Sequence, residues 1–173
     1  WATCPRLSTA VTPTTWSPGG NEAGSNVRPV CSVPVARERQ RMYVAHVGDS
    51  RCYRVRDGAI TQLTRDHSLL NDYLLVMPDL TQEQREELPK NVITRALGMQ
   101  DSVVVALVPE HPRAGDVYLL CSDGLSGMIS DEGIRNVITG EAELEGAARA
   151  LVAKANANGG EDNVTVVLLR ITD

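Results

Sequence analysis

The sequence predicts an α+β protein, and three observations carry that reading. Strand-like runs follow one another as candidates for antiparallel pairing, and helical stretches come as inserted pairs rather than alternating with strands one by one. At 173 residues, the chain has room for one domain with a sizeable core and is too short for two comfortable ones.

Residues 1–40 stand apart from the rest. They are rich in Pro, Ser, Thr and Gly, carry Pro at 5, 13, 18, 29 and 34, and show neither helical nor alternating apolar period. Such a segment offers little apolar surface to offset ordering entropy, so it is read as irregular. Order is expected to begin at Met42. MYVAHV (42–47) is a β-branched and aromatic strand ended by Gly48 and Asp49. In RCYRVRDG, Cys52, Tyr53 and Val55 are set among arginines, and Asp57-Gly58 turns the chain into AITQL, which makes a β-hairpin. Over 66–90, Ser68 is placed to cap a helix that Pro78 must stop, and Thr81 to start a second.

VITRALG and VVVALV read as further strands. RAGDVYLLCS reads as another, entered through a tight turn at Gly115-Asp116 and ending on Asp123. Ser130 or Asp131 begins a short helix over EGIRNVI. A longer amphipathic helix over 141–157 sets Leu144, Ala147, Ala148, Leu151, Val152 and Ala155 on one face at three- and four-residue spacing. NVTVVLLRI, entered through GGEDN, is the last strand. No internal repeat is visible.

Charge and composition exclude several classes. Twenty-two acids against 17 Lys and Arg give a net charge of −5 with no basic stripe, so no nucleic-acid or anionic-membrane partner is expected. No apolar run approaches the roughly 18 residues of a membrane span, and the first residues lack the basic and apolar regions of a signal peptide. Of the four cysteines, Cys4, Cys31, Cys52 and Cys121, none forms a CxxC pair or has a close His. Cys52 and Cys121 sit in apolar runs, where reduced Cys behaves as a small hydrophobe, and a reducing, cytoplasmic compartment is the expectation.

Three places share one arrangement, a strand or turn boundary with an Asp beside a small residue: Asp49 in HVGDSR, Asp123 in CSDGLSG and Asp162 in GGEDNVTVV. Each has an ordinary explanation. Asp-Gly is a common turn pair, Asp49 follows a Gly, and Glu161-Asp162-Asn163 suits a polar turn before a strand. The alternative is a site for a hard cation such as Mg²⁺ or Mn²⁺, which takes carboxylate oxygen and water. Glycines would then let the backbone pass close to the ion while the strands hold the carboxylates. Clustered carboxylates without a cation would repel one another. His67 in RDHS suits a hydrogen-bonded loop better than a ligand, since no second His lies at the spacing of a zinc pair. Met77, Met99 and Met128 read as core or loop fillers.

Taken in order and spacing, YVAHVGDSRCYRVRDGAITQLTRDHS, NVITRALG, GDVYLLCSDGLSGMISDEGI and GGEDNVTVVLLRI resemble the metal-dependent serine/threonine protein phosphatases, the phosphatase 2C or PPM family, in its bacterial form. The resemblance covers about residues 41–173 and corresponds to the C-terminal two thirds of such a domain. It implies two packed antiparallel sheets flanked by helix pairs, an α-β-β-α sandwich that is incomplete at the N-terminus. It also implies hydrolysis of phosphoserine and phosphothreonine in proteins by water held between two Mg²⁺ or Mn²⁺ ions.

By the same resemblance, Asp123 and Asp162 would ligate the first metal, and Asp49 a third, weaker one that shares Asp123. Gly48, Ser50, Gly124 and Asn163 would support them, with Asn163 serving the Asp162 turn. Residues 66–94 correspond to the family's flap beside the cleft. Gly127 stands where many relatives carry an acid.

The family's opening Arg, its Asn-Glu-Asp run and its Asp-Gly-x-Gly-Gly loop have no counterpart here. The faint echo in WSPGGNEAG would put Trp16 in place of the bridging Asp, ahead of Gly19, Gly20, Asn21 and Glu22. No phosphate-binding Arg is found. The missing initiator Met and the change of composition near residue 40 are consistent with a truncated or altered N-terminus. Exposed strand edges and marginal stability are then expected. A catalytically impaired relative that binds phosphoproteins or kinases is the alternative to an active enzyme, and a phosphatase acting on anti-sigma-factor antagonists a variant of the first reading.

Overall fold

The computed structural model describes residues 6–11, 30–32, 35–36, 41–89 and 92–172. In chain order its elements are β1 (Arg6–Val11), β2 (Val30–Ser32), β3 (Val35–Ala36), β4 (Arg41–Val47), β5 (Arg51–Arg56), β6 (Ala59–Gln62), α1 (Leu69–Val76) and α2 (Gln82–Glu87). These are followed by β7 (Ala106–Glu110), β8 (Val117–Cys121), α3 (Asp123–Ser126), α4 (Asp131–Gly140), α5 (Leu144–Ala157) and β9 (Val166–Thr172).

The chain is α+β, as expected, and its described strand pairs are antiparallel. One sheet has the order β1-β9-β8-β5-β6. The other is built on β4, which pairs with β2, β3 and β7. Side-chain alternation explains why VYLLC is apolar throughout. Leu119 and Cys121 join Tyr53, Leu168 and residues of α3, α4 and α5 in one core, whereas Tyr118 faces the other way, with Cys52 and Ile171 against Met42 and Val44 of β4. β8 is therefore covered on both faces, and burying one leucine such as Leu119 is worth about 2 kcal/mol.

Local signals in the sequence account for most boundaries. Asp57 and Gly58 both have positive φ, 51° and 75°, as the two-residue turn of a twisted hairpin requires. The Ser68 hydroxyl caps α1 by accepting from Asn71 N–H. Thr81 and Gln84 form a reciprocal capping box on α2, and Ser130 caps α4 by accepting from Gly133 N–H.

Four expectations are corrected. Residues 1–40 are not wholly irregular: Arg6–Val11 pairs with β9, while Val30–Ser32 and Val35–Ala36 pair with β4. A strand poor in apolar side chains can be held by the backbone bonds that a partner edge supplies. The rest of 1–40, with Cys4, Trp16, Gly19, Gly20, Asn21 and Glu22, lies outside the described residues.

VITRALG is not a strand. Leu69 N–H bonds Val92 O and Thr94 N–H bonds His67 O, both at 2.9 Å, so this stretch attaches to the entry of α1, with one isolated bridge between Ser68 and Ile93. The strand expected over VVVALV begins only at Ala106 and runs through Pro109, which the sheet tolerates because β7 pairs with β4 alone. Finally, SDGLS is not a bare turn: Asp123 opens the short helix α3. Among the described residues no helix is long and apolar enough to cross a membrane.

Candidate metal-binding cleft

A cleft of about 560 Å³ opens beside the start of β5 and the end of β8. Among the described residues its wall carries Asp49, Asp66, Asp123, Glu161 and Asp162 against one basic side chain, Arg51. The three aspartates singled out in the sequence thus share one cleft.

Asp49 leaves β4 through Gly48, whose φ of 105° needs a residue without Cβ. The turn is clasped from outside: Gly48 N–H donates to His67 Nδ1 at 3.0 Å, and His67 N–H donates to Gly48 O at 2.9 Å. The His67 ring stacks on His46 with centroids 4.7 Å apart, which agrees with its reading as a bonded loop residue. Asp49 Oδ1 is buried without a hydrogen-bond partner. Burial first, then repulsion from Asp123, raises its carboxyl above the ordinary range. Ser50 is half-buried between Asp49 and Arg51.

Asp123 is the first residue of α3, and its Oδ1 accepts from Gly124 N–H at 2.9 Å. It opens onto the cleft, yet the surrounding walls withdraw enough water to raise its carboxyl, and the charge of Asp162 adds to the effect. Asp162 is exposed, and its Oδ1 accepts from Asn163 N–H at 2.6 Å. The residue that joins these two acids was missed in the sequence. Ser122 Oγ donates to Asn163 O at 2.9 Å and accepts from Thr165 N–H at 3.0 Å. Gly124 completes the join, since a Cβ there would stand 2.5 Å from Asn163 O. The small residue beside Asp123 therefore lets two protein segments meet, a role different from the one expected beside an ion. Gly127 N–H bonds Asp123 O at 2.7 Å and lines the same cleft.

Arg51 and Asp66 were also missed, although each lies inside a quoted motif, HVGDSR and RDHS. Arg51 sends Nε to Asp66 Oδ1 at 3.0 Å and one terminal nitrogen to Oδ2 at 2.7 Å, and its other terminal nitrogen to Tyr53 Oη at 3.1 Å. Burial alone would ease its proton off, but the bonds to Asp66 and Tyr53 hold the guanidinium charged. The pair pins the base of the 66–94 segment to β5.

Oxygen donors of this kind suit Mg²⁺ or Mn²⁺, and the unpartnered Asp49 Oδ1 is an observation in favour of a cation. Among the described residues, however, no group of three or more His, Cys, Asp or Glu side chains lies close enough to hold one ion. The acids are coupled in pairs, Asp49 with Asp123 and Asp123 with Asp162. An acid-lined wall with its one arginine engaged repels a phosphate ester. A bound divalent cation would reverse that local potential.

Comparison with known proteins gives this arrangement a context. The profile of the protein phosphatase 2C family matches residues 30–72, beginning inside the segment expected to be irregular. Protein phosphatase PhpP of Streptococcus pneumoniae is 38% identical over 156 residues, 90% of this chain and 63% of that protein. Serine/threonine phosphatase stp of Listeria monocytogenes is 36% identical over 132 residues, 76% of this chain and 52% of that protein. Among solved structures, the serine/threonine phosphatase PstP/Ppp of Mycobacterium tuberculosis superposes with a TM-score of 0.73 at 38% identity, covering 83% of this chain and 59% of that one. The catalytic domain of PstP in complex with 2 manganese ions gives a TM-score of 0.72 at 37% identity, with 85% and 60% covered. The chain spans 63% and 52% of the two curated relatives. It is a homologue in the bacterial phosphatase 2C (PPM) serine/threonine phosphatase family, corresponding to part of the full-length enzymes.

Proposed function

We propose that the chain carries the C-terminal part of a protein serine/threonine phosphatase that uses Mg²⁺ or Mn²⁺ to hydrolyse phosphoserine and phosphothreonine in proteins. The observation that supports this best is the acid-lined cleft, which suits phosphate chemistry only when a cation sits in it. Asp123 and Asp162 are the proposed donors for one ion, with Asp49 as a donor at a further position near Asp123. Bound there, a divalent ion supplies water of lowered pKa and neutralises phosphate oxygens.

The chain's own residues do the positioning. Ser122 and Gly124 fix the Asp123 and Asp162 segments against each other, the Gly48–His67 clasp sets Asp49, and the Arg51–Asp66 pair steadies the cleft wall. In the reaction the oxygen of water bonds phosphorus as the phosphorus–oxygen bond to Ser or Thr breaks, and the departing oxygen leaves with a proton. The full α-β-β-α sandwich belongs to the same proposal, supported by the packing of α4 and α5 on the first sheet. A cytoplasmic compartment is supported by the buried thiols of Cys52 and Cys121.

A second reading is favoured by one observation, the lack of a three-carboxylate group among the described residues. It makes the chain a phosphoprotein-binding module of impaired catalysis. Hydrolysis of p-nitrophenyl phosphate and of a phosphothreonine peptide, with and without Mn²⁺, separates the two. Turnover that needs Mn²⁺ and disappears in Asp123→Ala and Asp162→Ala is expected. Folded protein with no turnover above those variants would leave the binding module standing.

A further inference from the structure

Helix α5 ends in the bond pair of a Schellman turn, which aims the chain at the cleft. Asn158 is the cap residue. Gly160 N–H bonds Ala155 O at 3.2 Å and Gly159 N–H bonds Asn156 O at 3.3 Å, with φ of 57° at Gly160 and 141° at Gly159. The helix behind this turn is firmly held, because it buries Leu151, Val152 and Ala155 in the core. The two residues after the turn, Glu161 and Asp162, line the cleft.

The Asn158 side chain is exposed and is not part of the cleft wall. Its Nδ2 nevertheless donates to Met128 O at 2.8 Å, across 30 positions of the sequence. Met128 lines the cleft from the segment that begins at Asp123, and its Sδ lies against the turn, 3.6 Å from where a Cβ on Gly159 would stand. The segments 122–128 and 158–163 are thus tied at both ends, by Ser122 to Asn163 and by Met128 to Asn158. A single tie would leave the 158–162 stretch to pivot about Asn163. Two ties fix the spacing of the carboxylates carried between them, Asp123 and Asp162.

We propose that Asn158 is a positioning residue: by tying the end of α5 to Met128, it holds Asp162 and Asp123 at a spacing that selects a small divalent cation over calcium. The inference rests on the cation reading of the cleft. Mg²⁺ demands near-ideal contacts of about 2.0–2.1 Å, whereas Ca²⁺ accepts about 2.3–2.6 Å and irregular geometry. Rigid donors therefore discriminate between the two ions, and loosened donors lose the smaller ion first. Asn158 itself touches no ion; it acts through the turn that carries Asp162.

Calorimetric titration of the 173-residue chain with Mg²⁺ and with Ca²⁺ tests this, and urea unfolding of each variant reports stability beside it. Parent binding that vanishes in Asp123→Ala places the ion in the cleft. Asn158→Ala should then bind Mg²⁺ about fivefold more weakly, while its Ca²⁺ affinity changes by less than about twofold. Asn158→His should restore the parent ratio, because its Nδ1–H stands as many bonds from the backbone as the amide N–H it replaces. A purely structural tie would lower the urea midpoint of Asn158→Ala and leave the ratio of the two affinities unmoved, which overturns the inference. So does an unchanged Mg²⁺ affinity in Asn158→Ala, or a His variant no better than the Ala one; in these cases the cation reading still stands. Absence of divalent binding by the folded parent overturns both together.

Discussion

Strand β8 has an aspartate at either end, and the fold treats the two in opposite ways. Asp116, just before the strand, is 1% exposed and receives Arg56 Nε and a terminal nitrogen at 2.7 and 2.6 Å, Arg113 N–H at 2.7 Å and Tyr118 Oη at 3.4 Å. Burial alone would raise its carboxyl, but these donors prevail and hold it below the ordinary range. Asp123, just after the strand, is more open to water and yet has its carboxyl raised. Position at a strand end therefore says little about an acid. What separates a structural acid from a candidate ligand is whether the protein supplies its counter-charge.

The largest expected effect comes from removing the satisfied acid. Asp116→Ala should destabilise the protein by about 3 kcal/mol or more, because it strands the partly buried Arg56. Asp123→Ala should stay within about 0.5 kcal/mol of the parent while abolishing any rise in Tm on adding Mn²⁺. Urea titrations of both variants check this, and equal losses would erase the contrast.

Next is Gly124→Ala. The obstacle is backbone, Asn163 O at 2.5 Å, so a shift of the 162–163 turn costs about 1–3 kcal/mol. Loss of the Mn²⁺ response is expected too, although no carboxylate is changed. A melt with and without the ion reads both at once. A smaller loss, about 1 kcal/mol, is expected for Ser122→Ala by the same assay, since Thr165 N–H loses an acceptor there.

The smallest effect is in pH. The depressed Asp116 contributes stability above its unfolded value near 3.8, and that contribution fades as pH falls through its lower folded value. The raised Asp123 behaves oppositely: the folded state holds its proton more tightly, so a penalty develops as pH rises from 3.8 through its folded value. Asp123→Asn should therefore gain on the parent across that rise in metal-free buffer. A gain that shrinks with rising pH would contradict the assigned direction.

The elements that were legible are those whose cause is local. Asp57-Gly58 carries its own turn, Ser68, Thr81 and Ser130 carry their caps, and the apolar spacing of 144–155 carries a helix face. Elements fixed by distant partners were not legible: β1 exists because β9 offers an edge, and VITRALG is drawn from strand to loop by bonds to His67 and Leu69. The same division runs through the cleft. Asp49, Asp123 and Asp162 showed themselves by recurrence of one local pattern, whereas Ser122, Arg51 and Asp66 act through bonds spanning 15 to 43 positions, a separation at which spacing in a single sequence is silent.

The place of β9 in the first sheet has a kinetic consequence. It is the last strand of this sequence, yet it lies inside the five-stranded sheet, between β1 and β8. Among the described strands β1 pairs in that sheet with β9 alone, and β8 lacks one of its two neighbours there until residues 166–172 emerge from the ribosome. Loop closure between Arg6 and Thr172, which face each other in the register, must wait for β9, and pairings of such long sequence separation form slowly. A nascent chain stalled before Val166 should bind a holding chaperone, and emergence of β9 should free it.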